Sequence, residues 1–352
     1  MHSAIVRLAL VSGFCVLLPG VSRAQLIPPG TIETDTADSA NRALELLPQR
    51  EKKEGTPKQV PALYEGELED AGPQYLLLSR PPHQWFQLLL DYQLYATSNA
   101  GLTEHDRLAT DIMVFTAQGA VNVKPVLFAG GQLKPSFGLR YQVFAYGLLS
   151  GRHRSLSSTV DQPVKDLDFQ TVTPYVQLEW QRDAWIAGVA GRFAAYLSEQ
   201  TDSTTYQEWV PSAHAGRVFS LGPTRQILVD LDASYRFSRS FLPPGLVLPP
   251  SWFNDAQGDR YDLGLNIVYT QAFGRNWILQ PSYRFQFSDY TRTDNSRHDY
   301  YHILGLTLAY YFNEYVSLRL FGSAEFRDST DDTIPDYKNL NGGVAGSLSV
   351  RF

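Results

Sequence analysis

Two spacings in the chain invite chemistry. Ser212 and His214 stand two residues apart, which on an extended strand puts both on one face. A serine activated by an imidazole also needs a third group to orient the ring. The rows beside the pair hold Phe193, Ala195 and Leu197 on one side and Tyr235 and Phe237 on the other, with no Asp or Asn. No catalytic residue is expected there. His298 and His302, four apart, would share a metal ion on a helix. On a strand four residues span about 13 Å, too far for one ion, so both read as solvated rim residues. Gly342-Gly343 and Gly346 precede no helix, which excludes a phosphate cradle. Neither a metal nor a cofactor is expected.

The elements that must carry these residues announce themselves from His83 onward by a period of two. Apolar rows run through Phe86, Leu88, Leu90, Tyr92 and Leu94, through Phe137, Leu139, Tyr141 and Val143, and through Trp185, Ala187, Val189, Gly191 and Phe193. The beat returns at 227–237, 261–269, 277–285, 304–312, 316–320 and 344–352. Such alternation puts one face in apolar surroundings and the other in polar ones. Short links at 130–131, 181–183, 222–223, 274–275 and 313–314 alternate with longer ones at 98–106, 151–165, 200–205, 240–258, 292–297 and 329–337. Five short and six long links give about twelve strands, an even number.

A soluble β-sandwich would share this period but would need one concentrated core. Here nearly every strand has a full apolar row, opposed by Asp, Arg, Gln, Ser and small residues. The fold class is therefore all-β: a closed transmembrane antiparallel up-and-down barrel over 83–352. Lipid wets its outside, and every backbone group is satisfied between strands. Trp85, Trp180, Trp185 and Trp277 sit by the first strand or the short links, as an aromatic girdle on the periplasmic side would. The inward rows would line the lumen with Asp91, Asp111, Lys124, Arg140, Glu179, Arg192, Asp230, Asp232, Arg236, Arg260, Asp262, Arg284, Arg319, Glu325 and Arg327. Their signs are nearly balanced. That suits a hydrated pathway with a transverse field for polar or zwitterionic solutes, or a narrow lumen closed by ion pairs.

Two segments fit the alternation poorly. Leu108, Ile112 and Val114 point outward at even positions, whereas Val121, Val123 and Pro125 do so at odd ones, which predicts a β-bulge at 117–120. In 206–220, turning Trp209, Pro211, Ala213 and Phe219 outward drags Arg217 into lipid, at about 2–4 kcal/mol near the midplane. A bulge restoring Arg217 to the inside is the cheaper expectation. The opposite phase would turn Ser212 and His214 outward instead.

Composition agrees with this architecture. Of the 352 residues 43% are hydrophobic, 13% aromatic and only 19% charged, with a formal net charge of −6. That excludes disorder throughout, and no basic face points to nucleic acid. Residues 1–24 have the three parts of a secretory signal: Arg7, the apolar stretch 8–18, and the small residues Ser22 and Ala24 at the cut. Cys15, the only cysteine, lies inside that leader, so no disulfide is expected in the mature chain. Residues 25–82 are proline-rich and mostly irregular, read as a periplasmic linker, a plug, or a tether for a periplasmic partner. The link 240–258, with the run Phe241 to Phe253, is too apolar to stand in water and is read as a lid or a contact for a surface partner.

The C-terminal run Gly346, Leu348, Val350 and Phe352, alternating with Ser347, Ser349 and Arg351, resembles the assembly signal of bacterial outer-membrane β-barrels. The resemblance covers 83–352. It implies the outer membrane as location, surrounding lipid as environment, and insertion by the barrel-assembly machinery. Ser212-x-His214 is similar in spacing to the lipid-facing pair of outer-membrane phospholipase A, in reversed order. The function expected is non-enzymatic: a narrow channel for small polar solutes or an export conduit. The alternatives are a non-conducting structural or docking barrel and a lipid-acting hydrolase.

Overall fold

The computed structural model describes residues 83–352 other than 101, 103–106, 108, 150–167, 199–202, 241–257, 275, 293–295, 333 and 335. The leader, the segment 25–82, Leu108 and nearly all of the apolar link lie outside the described residues. The elements are β1 (Phe86–Thr97), β2 (Thr110–Asn122), β3 (Val126–Phe128), β4 (Gly131–Tyr146), β5 (Phe169–Arg182), β6 (Trp185–Ser198), β7 (Ser203–Gly222), β8 (Arg225–Ser240), β9 (Arg260–Phe273), β10 (Trp277–Tyr290), β11 (Arg297–Tyr311), β12 (Val316–Ser329) and β13 (Tyr337–Arg351). Each pairs antiparallel with its sequence neighbours, and β13 returns to β1. β2 and β3 both pair with β4 and form one stave interrupted at 123–125. The result is a closed barrel of twelve staves, with no free edge.

The ends of the barrel differ as short turns and long links do. Ala129 and Gly130 join β3 to β4 with φ of 49° and 74°, the two positive values that a two-residue type I′ hairpin turn requires. Phe86 and Phe352 close the seam at this end: each backbone N–H donates to the other's carbonyl, at 2.8 and 3.0 Å, and the rings stack with centroids 5.7 Å apart. Short turns of this kind face the periplasm, and the longer links face the cell exterior.

Large apolar side chains cover the outside. Leu88, Leu139, Val176, Val189, Leu231, Leu263, Leu304, Leu306, Leu320 and Val344 are all exposed, on β1, β4, β5, β6, β8, β9, β11, β12 and β13. In water such a belt would be a large aggregation surface; in hydrocarbon it is the expected exterior.

Both irregular segments resolve differently from expectation. β2 runs in unbroken register against β1 and β4 from Thr110 to Asn122, so there is no bulge at 117–120. Its even residues point inward instead. Ile112 and Val114 are buried in the lumen with Tyr95, Phe144 and Tyr146, packed on Phe169 and Phe321. The apolar residues that suggested a change of phase fill the barrel's inside near the long links. The interruption falls just beyond, at 123–125, where the Val123 amide still donates to Pro135 at 2.9 Å.

β7 also keeps one phase from Tyr206 to Ser220 against its neighbours, with register shifts only at its two ends. Trp209, Ala213, Phe219 and Arg217 all lie on the outward, exposed row. No bulge returns Arg217 to the lumen. Its guanidinium lies over the rings of Trp185 at 5.0 Å and Phe219 at 5.2 Å. Trp185 is the first residue after a short turn, so the charge sits toward the interface, where the cost falls to about 0–1 kcal/mol.

Candidate functional site: the lumen

The inward rows assemble two different walls. From β7 to β12 the lumen side is a continuous network of buried charge. Arg236 donates through Nε to Asp262 Oδ2 at 2.6 Å and through Nη1 to Glu208 at 3.3 Å. Arg260 Nε reaches the other oxygen of Asp262 at 2.9 Å, and the Ser288 hydroxyl donates to that same oxygen at 2.5 Å. Arg284 spans Asp232 at 3.0 Å, Asn266 at 2.8 Å and Gln286 at 3.0 Å. The Tyr290 hydroxyl accepts from Arg260 and Arg297, which ties in the Arg297–Asp299 pair, and Ser329 of β12 donates to Asp299 at 2.7 Å. Arg236, Arg260, Asp262, Gln286, Ser288 and Asp299 are each at most 2% exposed. Charges so deeply desolvated are tolerable only when multiply hydrogen-bonded, as these are.

Inward glycines make room for several of these groups. Gly264 is the cross-strand partner of Asp232, Gly216 of Asp230 and Gly188 of His214. A Cβ at Gly264 would overlap the Asp232 carboxylate, and one at Gly188 would lie 2.6 Å from His214 Nε2.

The wall from β12 through β1 to β6 is less tightly packed in the half nearer the short turns. Asp91 pairs with Arg319 and accepts from Ser347. Arg140 donates to Gln118 at 2.9 Å, Gln118 donates to the Tyr175 hydroxyl at 2.9 Å, and Lys134 donates to Gln181 at 2.7 Å. Arg140, Tyr175, Gln177, Glu179, Ala190 and Arg192 remain half-buried. In the other half the lumen tightens. The cluster around Tyr146 meets Tyr196 and Tyr206, and the Tyr196 hydroxyl donates to Glu208 of the ionic wall at 3.4 Å.

Of the residues expected to line the lumen, Asp91, Arg140, Glu179, Arg192, Asp230, Asp232, Arg236, Arg260, Asp262, Arg284, Arg319, Glu325 and Arg327 lie on inward rows. Asp111 does not. With β2 in the opposite phase it occupies the outer row across from exposed Ala96, and its carboxylate accepts the Leu149 amide at 2.8 Å. Lys124 is exposed in the break between β2 and β3, with its ammonium 5.7 Å over the Trp85 ring. It belongs to the short-turn rim. Glu208, Arg297, Asp299 and Lys134 are lumen charges that the sequence reading omitted. The unsettled phase of β7 hid Glu208, placing 292–297 in a link hid the inward register of Arg297, and starting the next alternating row at Leu304 hid Asp299.

Trp180, Trp185 and Trp277 lie on outward rows close to short turns, whereas Trp85 precedes β1 at the same rim. Gly346, Leu348, Val350 and Phe352 form the outward row of the closing strand, against Tyr92, Leu90, Leu88 and Phe86. Ser212 and His214 point into the lumen, and His214 Nδ1 is 3.3 Å from Asp230 Oδ1. They do not face lipid. His298 and His302 sit on the outer face with separate partners, Asp289 at 3.1 Å and the Tyr283 hydroxyl at 2.9 Å. Among the described residues no group of three His, Cys, Asp or Glu side chains is placed to hold a metal ion.

A closed barrel, an outward apolar belt, short turns at one end and a polar lumen define the class: a transmembrane β-barrel of the outer-membrane type. No family model and no curated protein matches the chain. Solved structures similar to it include an outer membrane channel from Pseudomonas putida F1, at 11% identity over 79% of this chain and 99% of that one, with a TM-score of 0.49. The translocator domain of the autotransporter NalP from Neisseria meningitidis is 12% identical over 90% and 97%, with a TM-score of 0.42. LpxR from Salmonella typhimurium is 8% identical over 72% and 99%, with a TM-score of 0.39.

Proposed function

We propose that the barrel is a narrow, non-enzymatic channel for small polar solutes, with its pathway along the β1–β6 wall. The observation that supports this is the contrast between the walls. Inward residues of β9 and β10 are sealed against one another, while Arg140, Tyr175, Gln177, Glu179 and Arg192 keep access to solvent. Charged side chains on both flanks of such a passage let polar solutes exchange water for fixed dipoles. In this reading the barrel-assembly machinery inserts the chain through its Gly346–Phe352 strand, and 25–82 serves as a periplasmic arm.

Planar-bilayer recording on the purified chain tests the proposal. Discrete conductance steps that change in size on Arg192→Gln support it. An electrically silent barrel at every voltage rejects it. Silence would favour the second reading, a structural barrel, for which the packed half around Tyr196, Tyr206, Glu208 and Arg236 is the specific support.

A further inference from the structure

Arg217 has no role in the lumen. It stands on the outward row of β7 in register with Trp185 of β6, which is itself in register with Arg182 of β5. One outward guanidinium thus lies against an indole at the end of the barrel that carries the short turns. Among the described residues the Arg217 guanidinium has the faces of Trp185 and Phe219 against it, and no carboxylate pairs with it. Phe219 is two residues nearer the β7–β8 turn on the same row, so the Arg217 side chain reaches toward the periplasmic edge. Arg182, on the same face, is engaged elsewhere: its Nη1 donates to the Ala129 carbonyl of the β3–β4 turn at 3.5 Å, and Asp183 is 3.8 Å away.

We propose that Arg217 holds the phosphate of a phospholipid in the periplasmic leaflet, whose acyl chains lie along Val189 and Leu231 on the side of Arg217 away from the short turns. A cation embedded among apolar groups needs an anion, and a guanidinium presents a planar fork that matches phosphate oxygens. The ring faces that hold this fork leave its N–H edge free to donate. The surrounding exposed apolar residues suit a ligand whose charged head continues into hydrocarbon, and no soluble anion has that shape.

The full-length barrel, stripped of lipid in a non-ionic detergent, tests this by native mass spectrometry after addition of phosphatidylglycerol. One bound lipid that survives collisional activation is expected, with retention falling about tenfold in Arg217→Leu and partly in Arg217→Lys, which keeps the charge but loses the fork. Diacylglycerol of the same chain length should not be retained. Equal retention in wild type and Arg217→Leu overturns the proposal, or, should the leucine variant not fold, equal retention in wild type and Arg217→Lys. It is also overturned if inorganic phosphate alone displaces the lipid at equal concentration, because the site would then be one for a free ion.

Discussion

Arg236 and Asp262 meet on adjacent strands through Nε and Oδ2 at 2.6 Å, both almost wholly removed from solvent. Asp262 is the node of the sealed wall, since it also accepts from Arg260, Gln286 and Ser288. Breaking a buried pair from one side strands the remaining charge, at about 3–5 kcal/mol. Asp262→Ala should therefore lower the urea midpoint of barrel unfolding, followed by the gel shift between folded and unfolded forms, by a corresponding margin. An unchanged midpoint would mean that Arg236 and Arg260 find water in the lumen.

Gly264→Val adds bulk where the Asp232 carboxylate lies across the strand. Overpacking of this kind costs about 1–3 kcal/mol, and the displaced carboxylate would also lose Arg284 and Asn266. The measurable outcome is a lower thermal transition. Gly322→Val is the control, because its nearest neighbour is a backbone oxygen at 3.5 Å on the outward face, and it should leave the transition nearly unchanged.

Deleting Phe352 removes both backbone hydrogen bonds and the ring stack that join it to Phe86 at the seam. Closure of the barrel joins strands at opposite ends of the sequence, so the seam is the pairing of highest loop-closure cost. Folding into phosphatidylcholine vesicles, timed by the gel shift, should slow several-fold. A rate equal to that of the intact chain would place closure outside the rate-limiting step.

The barrel was legible in the sequence wherever apolar meant outward. The rows from Phe86, Trp185, Tyr261 and Leu304 face lipid as their alternation implies. The same equation failed at Ile112 and Val114, because a small barrel fills its lumen with side chains and some of them are apolar. It failed in a different way at Arg217, whose charge was weighed as though it lay at the midplane; two aromatic rings near a turn change that cost. The partners within the lumen were not readable at all. Glu208–Arg236 and Arg284–Asp232 follow from strand stagger and rotamers, which the period of two does not encode.

Which side of the wall meets hydrocarbon decides the whole account, and a spin label can report it residue by residue. The sole cysteine is Cys15, inside the predicted leader, so the mature barrel offers a clean background for single-cysteine labels at Leu231, Leu263, Leu306 and, on the inner rows, Ala190. In lipid vesicles the three outward labels should relax strongly with oxygen and weakly with a water-soluble nickel complex, and the label at 190 should do the reverse. Nickel access at 231, 263 and 306 together with oxygen access at 190 would contradict it.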